Sequence, residues 1–126
     1  LIIDDSYNAS PDSMRSAIDV LSTRPVTGKR AAVLADMLEL GDFSQQGHYQ
    51  VGQYAKERGV ELLVAVGPLS REIAAGYGEG ARWFATNQEA AAFLRDALRP
   101  GDAVLVKGSR GMKTDEIVAA LSAVSP

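Results

Sequence analysis

Short apolar runs alternate five times with segments whose apolar residues recur at helical spacing, and this alternation limits the folds open to the chain. The runs have the length of β-strands, and several are continuously apolar, as expected for parallel strands covered on both faces. They lie at residues 1–4, 30–35, 61–66, 81–85 and 103–107. The sequence therefore predicts five parallel strands.

The segments between these runs have the spacing of amphipathic helices. In three of them apolar residues recur at i, i+3, i+4 and i+7. These residues are Met14, Ala17, Ile18 and Leu21; Ala90, Phe93, Leu94 and Ala97; and Ile117, Ala120, Leu121 and Val124. Polar side chains that can cap a helix begin four segments, and a proline follows the first of them, in the first helical position. The predicted caps are Ser10, Ser44, Ser70 and Asn87.

Strand and helix units in this order predict an α/β fold. We expect a Rossmann-like, doubly wound, mostly parallel sheet of five or six strands, with helices on both faces. Ligands of such sheets bind beyond the carboxyl ends of the strands. The polar residues expected at that edge are Asp4, Asp5, Asn8, Asp36, Glu39, Lys107, Ser109 and Arg110.

Composition indicates one ordinary globular domain over residues 1–126, with 46% hydrophobic and 23% charged residues. The first run begins at Leu1 with no polar leader, so we expect one domain of a longer enzyme. No signal segment or membrane span is predicted, and together with the absence of cysteine this favours the cytoplasm. A net charge of −3 argues against a nucleic-acid partner.

The residues at the strand ends argue against three common classes of site. No G-x-G-x-x-G turn follows the first strand, which argues against NAD or FAD. Lys113-Thr114 lacks the glycines of a phosphate loop, so the domain alone is not expected to drive ATP hydrolysis. A response-regulator receiver needs a phosphorylatable carboxylate after the third strand, where the chain has Gly67 and Pro68.

Four segments, in order along the chain, carry a family resemblance. They read DDSYNASPDSM at 4–14, VLADMLELG at 33–41, HYQVG at 48–52 and VKGSRG at 106–111. Together they resemble the carboxyl-terminal domain of the Mur ligases. Within that family the match is to the branch that adds D-alanyl-D-alanine to UDP-N-acetylmuramoyl-tripeptide, because the Asp-Asn-Pro-Arg motif of the diaminopimelate-adding enzymes is absent.

The resemblance implies a three-domain, ATP-dependent ligase of peptidoglycan precursor synthesis. In this family ATP phosphorylates the tripeptide carboxylate, and the dipeptide amine attacks the acyl phosphate. The resemblance also implies that magnesium is held mainly by the central domain, with no metal site in this one. The present domain would close over the cleft with the other two, and would be inactive alone.

The resemblance also assigns residues to ligands. Asp5 corresponds to an acidic residue against the ATP ribose, Asn8 to a polar position near the nucleotide, and Tyr7 could pack on the adenine or be an ordinary half-buried tyrosine. Asx or other turn roles remain the alternatives for the polar residues. Asp4 is expected to be a turn or helix-approach carboxylate, or to lie partly inward on the strand.

A second group of candidates follows the fifth strand. Lys107, Ser109 and Arg110, held by the flexible glycines at 108 and 111, are expected to face substrate, and the two cations could hold the dipeptide carboxylate or the acyl phosphate. The alternative is helix capping with a solvated arginine. Asp36 is expected either to be structural or to face the dipeptide amine. His48 is expected to be a packing or capping residue.

The chain departs from the common family pattern at three places. Ser10 stands where asparagine is usual, Ala35 where glycine is usual, and residues 111–114 replace a Ser-Ala-Arg-Met run. Two other interpretations remain open from the sequence. The chain could be the equivalent domain of another Mur or folylpolyglutamate-type ligase, or a stand-alone α/β binding or signalling module.

Overall fold

The structure, a computed structural model, describes residues 1–5 and 9–124. Over these residues strands and helices alternate. The strands are β1 (Ile2–Asp5), β2 (Arg30–Ala35), β3 (Leu62–Val66), β4 (Arg82–Phe84) and β5 (Ala103–Lys107). The helices are α1 (Pro11–Thr23), α2 (Ser44–Glu57), α3 (Arg71–Tyr77), α4 (Asn87–Ala97) and α5 (Asp115–Val124). Short 3₁₀ turns, Gly41–Phe43 and Arg110–Met112, precede α2 and α5.

The described strands form one sheet in which every pairing is parallel, in the order β1-β5-β2-β3-β4. The chain moves outward from β2 to β4 and then returns through α4 to insert β5 between β1 and β2. The predicted α/β fold is confirmed, with five parallel strands. Because β5 lies between β1 and β2, the loops after these three strands meet at one edge.

Two apolar cores lie on opposite faces of the sheet. The first packs α1, α2 and α3 against one face, and the second packs α4 and α5 against the other. Along β5 the side chains alternate between them: Leu105 joins the first core, whereas Val104 and Val106 join the second. Helices on both faces are therefore confirmed.

Three aromatic residues complete these layers. Trp83 packs against the first core and Phe84 and Phe93 against the second. The rings of Phe84 and Phe93 lie with their centroids 5.4 Å apart.

The predicted start of α1 is confirmed. Ser10 has extended backbone angles, its hydroxyl accepts a hydrogen bond from the Ser13 N–H at 3.2 Å, and Pro11 is the first helical residue. Ser13 Oγ in turn accepts from the Ser10 N–H at 2.8 Å, which completes a capping box. Ser10, which stands where the family commonly has asparagine, therefore still caps the helix.

Two predicted caps are wrong by one position. Ser44 is the first residue of α2 rather than its cap, because a 3₁₀ turn runs directly into the helix and places Phe43 in the cap position. Asn87 is the first residue of α4, and Thr86 caps that helix through a reciprocal pair of hydrogen bonds with Glu89. The Thr-x-x-Glu spacing at 86–89 is itself a capping-box pattern and could have identified this start.

Candidate functional site

The carboxyl ends of β1, β5 and β2 bring four predicted site residues to the same edge of the sheet. Asp5 and Lys107 are the last residues of their strands and are direct register partners. Asp36 follows β2, and Ser109 follows β5. Tyr7 and Asn8, the other predicted nucleotide-binding residues, lie outside the described part of the chain.

Lys107 is buried at this edge and forms an ion pair with Asp5. Its ammonium Nζ lies 3.0 Å from Asp5 Oδ2, and the lysine side chain is only 2% exposed, compared with 43% for the aspartate. Lys107 comes two residues after Leu105, so it points toward the face that α1 covers. The structure therefore directs the cation inward and leaves the carboxylate partly exposed to solvent.

This pairing was not evident from the residue types. From the sequence, Lys107 is predicted to hold the substrate and Asp5 the nucleotide, as two separate functions. Parallel register brings the two side chains together, because the carboxyl ends of β1 and β5 are adjacent. Asp4 points the other way and is exposed.

Asp36 is buried and is used to hold the loop that follows β3. Its Oδ1 accepts hydrogen bonds from the Ser70 backbone N–H at 2.8 Å and from the Ser70 hydroxyl at 2.7 Å. Gly67 passes so close that a Cβ there would lie 2.7 Å from the same oxygen. Ser70 occupies the predicted cap position of α3, but its hydroxyl is directed to Asp36 rather than to its own helix. Of the two roles predicted for Asp36, these contacts agree with the structural one.

Ser109 ties the loop after β5 to the loop after β2. Its backbone N–H donates to the Asp36 carbonyl at 3.0 Å, and its hydroxyl oxygen accepts from the Leu38 N–H at 2.8 Å. The side chain is buried, so its oxygen is committed to the backbone of the neighbouring loop. The contribution of Ser109 to the site is to fix where the next residue stands.

That next residue, Arg110, is exposed. Within residues 1–5 and 9–124, no hydrogen bond or ion pair engages its guanidinium group. A planar guanidinium can bind a carboxylate through two parallel hydrogen bonds. Of the two cations predicted to face substrate, Arg110 is therefore the one that the structure leaves available.

His48 supports the β2 loop from beneath. The buried ring accepts a hydrogen bond at Nε2 from the Met37 N–H at 2.9 Å, so Nδ1 carries the ring proton and donates to the Ser44 carbonyl at 2.6 Å. Both ring nitrogens are thus used by backbone groups. The predicted packing role of His48 agrees with these contacts.

Asn87 was not singled out as a site residue, yet it contacts the loop that carries Arg110. Its amide Nδ2 lies 2.8 Å from the Met112 carbonyl oxygen and 3.2 Å from that of Lys113. Sequence spacing does not show this contact, because 25 residues separate Asn87 from Met112. Only the return of the chain from β4 to β5 brings them together.

A cavity of about 500 Å³ opens at the other end of the sheet, the amino ends of the strands. Its lining is mainly apolar and includes Leu1, Leu94, Leu98 and Leu121. None of the predicted site residues lines it. The candidate site is therefore identified by its polar chemistry at the carboxyl edge.

Two further observations concern the described residues. No three histidine, cysteine, aspartate or glutamate side chains among them are grouped as a metal ion would require. None of their helices combines the length and apolar character needed to cross a bilayer.

A family model described as the Mur ligase, glutamate ligase domain, matches residues 1–110. The chain is 39% identical over 123 residues to the UDP-N-acetylmuramoyl-tripeptide–D-alanyl-D-alanine ligase of Escherichia coli (strain K12), covering 96% of this chain and 26% of the relative. The corresponding ligase of Bacillus subtilis (strain 168) is 34% identical, with 93% and 27% covered. The chain thus spans about a quarter of the length of these relatives.

Solved structures agree with the sequence matches. MurF from Acinetobacter baumannii superposes with a TM-score of 0.86 at 35% identity, over 95% of this chain and 27% of that one. The MurF ligase from Thermotoga maritima in complex with ADP superposes with a TM-score of 0.84 at 26% identity, over 97% and 28%.

Proposed function

Because the chain belongs to the Mur ligase family, as its glutamate ligase domain, we propose that it is the carboxyl-terminal domain of a longer, cytoplasmic, ATP-dependent ligase. The proposed reaction joins D-alanyl-D-alanine to UDP-N-acetylmuramoyl-tripeptide in peptidoglycan precursor synthesis. Two further domains of the same chain would hold the uridine nucleotide and the ATP phosphates, with magnesium mainly in the central one. Residues 1–126 would form one closing domain, inactive alone.

The observation that carries this proposal is that one edge of the sheet holds both the partly exposed carboxylate of Asp5 and the exposed guanidinium of Arg110, which no other described residue engages. Both stand on loops or strand ends at the carboxyl edge. A carboxylate can accept hydrogen bonds from both hydroxyls of a ribose, and a guanidinium can clamp a carboxylate. The site thus offers one group of the right chemistry for ATP and another for the dipeptide.

Each residue then has a defined part. Asp5 would accept from the ribose of ATP through the oxygen that Lys107 does not hold. Arg110 would bind the dipeptide carboxylate and present the amine to the activated tripeptide, since amide formation depends on positioning and on the exclusion of water. Lys107, Ser109 and Asp36 would keep these two groups in place from inside the fold.

The first experiment is to sequence the coding DNA upstream of Leu1 across about three hundred residues. A Gly-Lys-Thr phosphate loop preceded by a nucleotide-binding domain is expected. A start codon beside Leu1 would contradict the proposal and leave a stand-alone binding module.

The second experiment replaces Arg110 in the complete ligase. We expect Arg110→Ala to raise the KM for D-alanyl-D-alanine about tenfold or more, because the carboxylate loses a charged bidentate donor, while the KM for ATP changes little. Lys113→Ala is the matched control, since it removes an exposed cation from the same loop. An unchanged dipeptide KM in Arg110→Ala would remove this residue from the site.

A further inference from the structure

The β5–α5 loop, residues 108–114, carries Arg110 and is fastened at both of its ends. Ser109 fastens the first end to the β2 loop through the Asp36 carbonyl and the Leu38 N–H, as described above. Between the two ends, the Met112 N–H closes the 3₁₀ turn onto the Ser109 carbonyl at 2.8 Å. The Lys113 N–H also donates to the Arg110 carbonyl at 3.2 Å, so the second end bears on the position of Arg110 together with the first.

Asn87 fastens the second end from a different part of the fold. Its Nδ2 lies within hydrogen-bond distance of three acceptors: the Met112 carbonyl at 2.8 Å, the Lys113 carbonyl at 3.2 Å and Glu116 Oε1 at 3.0 Å. The two amide hydrogens are shared among these oxygens. One half-buried side chain at the start of α4 thus joins the loop to the first turn of α5.

The backbone at this end needs such a restraint. Lys113 has φ 55° and ψ 42°, the left-handed region that side chains other than glycine adopt at a cost. Such a conformation persists only where surrounding contacts determine it. The Asn87 amide contacts the carbonyl of Lys113 itself and that of the residue before it.

The oxygen of the same amide takes no part in these hydrogen bonds. Asn87 Oδ1 is buried and has no hydrogen-bond partner in the described structure. Reversing the amide would place that oxygen against two carbonyl oxygens and a carboxylate, so the observed orientation is the favourable one. What Asn87 contributes is therefore a hydrogen-bond donor, which neither alanine nor aspartate can supply at this position.

We propose that Asn87 is a positioning residue of the ligase, which holds the β5–α5 loop so that Arg110 meets the incoming dipeptide. Asn87 acts through the loop and does not contact the substrate. This inference rests on the proposed function, specifically on the role of Arg110.

The test compares Asn87→Ala and Asn87→Asp in the complete ligase. Aspartate matches asparagine in size and is favoured in the first turn of a helix, so Asn87→Asp retains α4 while losing the donor and facing Glu116. We expect both variants to raise the KM for D-alanyl-D-alanine about five- to tenfold, with the KM for ATP within about twofold of the parent. A parental dipeptide KM in Asn87→Asp would overturn the inference.

A double-mutant cycle with Arg110→Ala separates positioning from a general loss of structure. If Asn87 acts through Arg110, adding Asn87→Ala to Arg110→Ala raises the dipeptide KM no further. Fully additive increases would overturn the inference. Asp102→Asn, at the far end of the sheet, is the control for a destabilised fold and should lower Tm without changing the dipeptide KM.

Two results distinguish the inference from the proposal on which it rests. A raised dipeptide KM in Arg110→Ala with parental kinetics in both Asn87 variants contradicts the inference alone. Parental dipeptide kinetics in Arg110→Ala contradict the proposed role of Arg110 and the inference together. Hydrogen exchange gives a second readout, since the amides of residues 108–114 should exchange faster in Asn87→Ala, and unchanged exchange would overturn the proposed restraint.

Discussion

Two lysine–aspartate pairs lie at opposite ends of the sheet, and they are oriented in opposite senses. At the carboxyl edge, Lys107 is buried and Asp5 is 43% exposed. At the amino edge, the Asp102 carboxylate is only 6% exposed, whereas its partner Lys29 is 30% exposed. The same two residue types thus present a carboxylate to solvent at one end and enclose it at the other.

The hydrogen bonds of Asp102 show what enclosure does. Its Oδ1 accepts from the Lys29 backbone N–H at 2.8 Å, and its Oδ2 accepts from the Lys29 ammonium at 2.6 Å and from the Arg99 N–H at 2.8 Å. Both oxygens are therefore occupied by the chain itself. At Asp5 one oxygen is held by the lysine and the exposed remainder can meet a ligand. The comparison distinguishes a carboxylate that stabilises the fold from one that can bind.

The largest effect on stability is expected from Asp102→Ala. The substitution removes the charged partner of the Lys29 ammonium, which keeps only the Ala97 carbonyl at 2.9 Å, and leaves two backbone N–H groups without their acceptor. We expect this to lower the free energy of unfolding by about 3 kcal/mol. Urea unfolding of the 126-residue chain, followed by circular dichroism, measures this change. In the complete ligase the KM for ATP should stay within about twofold of the parent. A loss under about 1 kcal/mol would contradict the structural assignment of this pair.

The next largest effect is expected from Asp5→Ala, and it concerns the binding of the nucleotide. We expect the KM for ATP to rise about tenfold, equivalent to about 1.4 kcal/mol of binding free energy. Initial rates at varied ATP, with both other substrates saturating, measure this change. Asp4→Ala is the matched control, because it removes an exposed carboxylate from the adjacent position. Equal ATP dependence in the two variants would place Asp5 outside the nucleotide site.

The smallest effect is a dependence of stability on acidic pH, which arises from the Lys29–Asp102 pair at the amino edge. Burial acts to raise the pKa of Asp102, but the hydrogen bonds from Lys29 and Arg99 and the lysine charge outweigh it and hold that pKa below its ordinary value of 3.8. A lowered pKa in the folded state means that the pair stabilises the chain fully above pH 3.8, and that this contribution is lost as the pH falls through the lowered pKa.

Asp102→Asn removes the titrating carboxylate, so the stability of the parent can be compared with that of this variant at each pH. The difference in unfolding free energy between parent and variant should be constant above about pH 5 and should shrink as the pH is lowered below 3.8. Urea unfolding at a series of pH values measures it. A difference that grows on acidification would show that the sign of the linkage is wrong.

Local signals predicted most of the fold because they act over a few residues. The limits of β2 and β5 agree with their apolar runs, and the cap of α1 agrees with the Ser10-Pro11 signal. The errors at Ser44 and Asn87 are shifts of one position, where another residue stands in the cap position. Strand order was beyond these signals, because the return of β5 to a place between β1 and β2 depends on how helices cover the two faces.

The sequence predicted which residues lie at the candidate site, but it did not predict which of them contact each other. Asp5, Asp36, Lys107, Ser109 and Arg110 could be identified from the sequence because parallel strands place their carboxyl ends at one edge. Which of these side chains turn inward could not be identified in the same way. That outcome depends on register, burial and loop contacts between residues far apart in the chain.

By itself the sequence determined the alternation of strands and helices, the edge at which polar groups collect and the family to which the chain belongs. These follow from periodicity and from short motifs, which are written in neighbouring residues. Only the tertiary structure decided that Lys107 holds Asp5 from within, that Asp36 and Ser109 bind loops together, and that Asn87 restrains the loop of Arg110. A hydrogen bond or an ion pair requires two atoms about 3 Å apart, and for residues separated by tens of positions that distance exists only after the chain has folded.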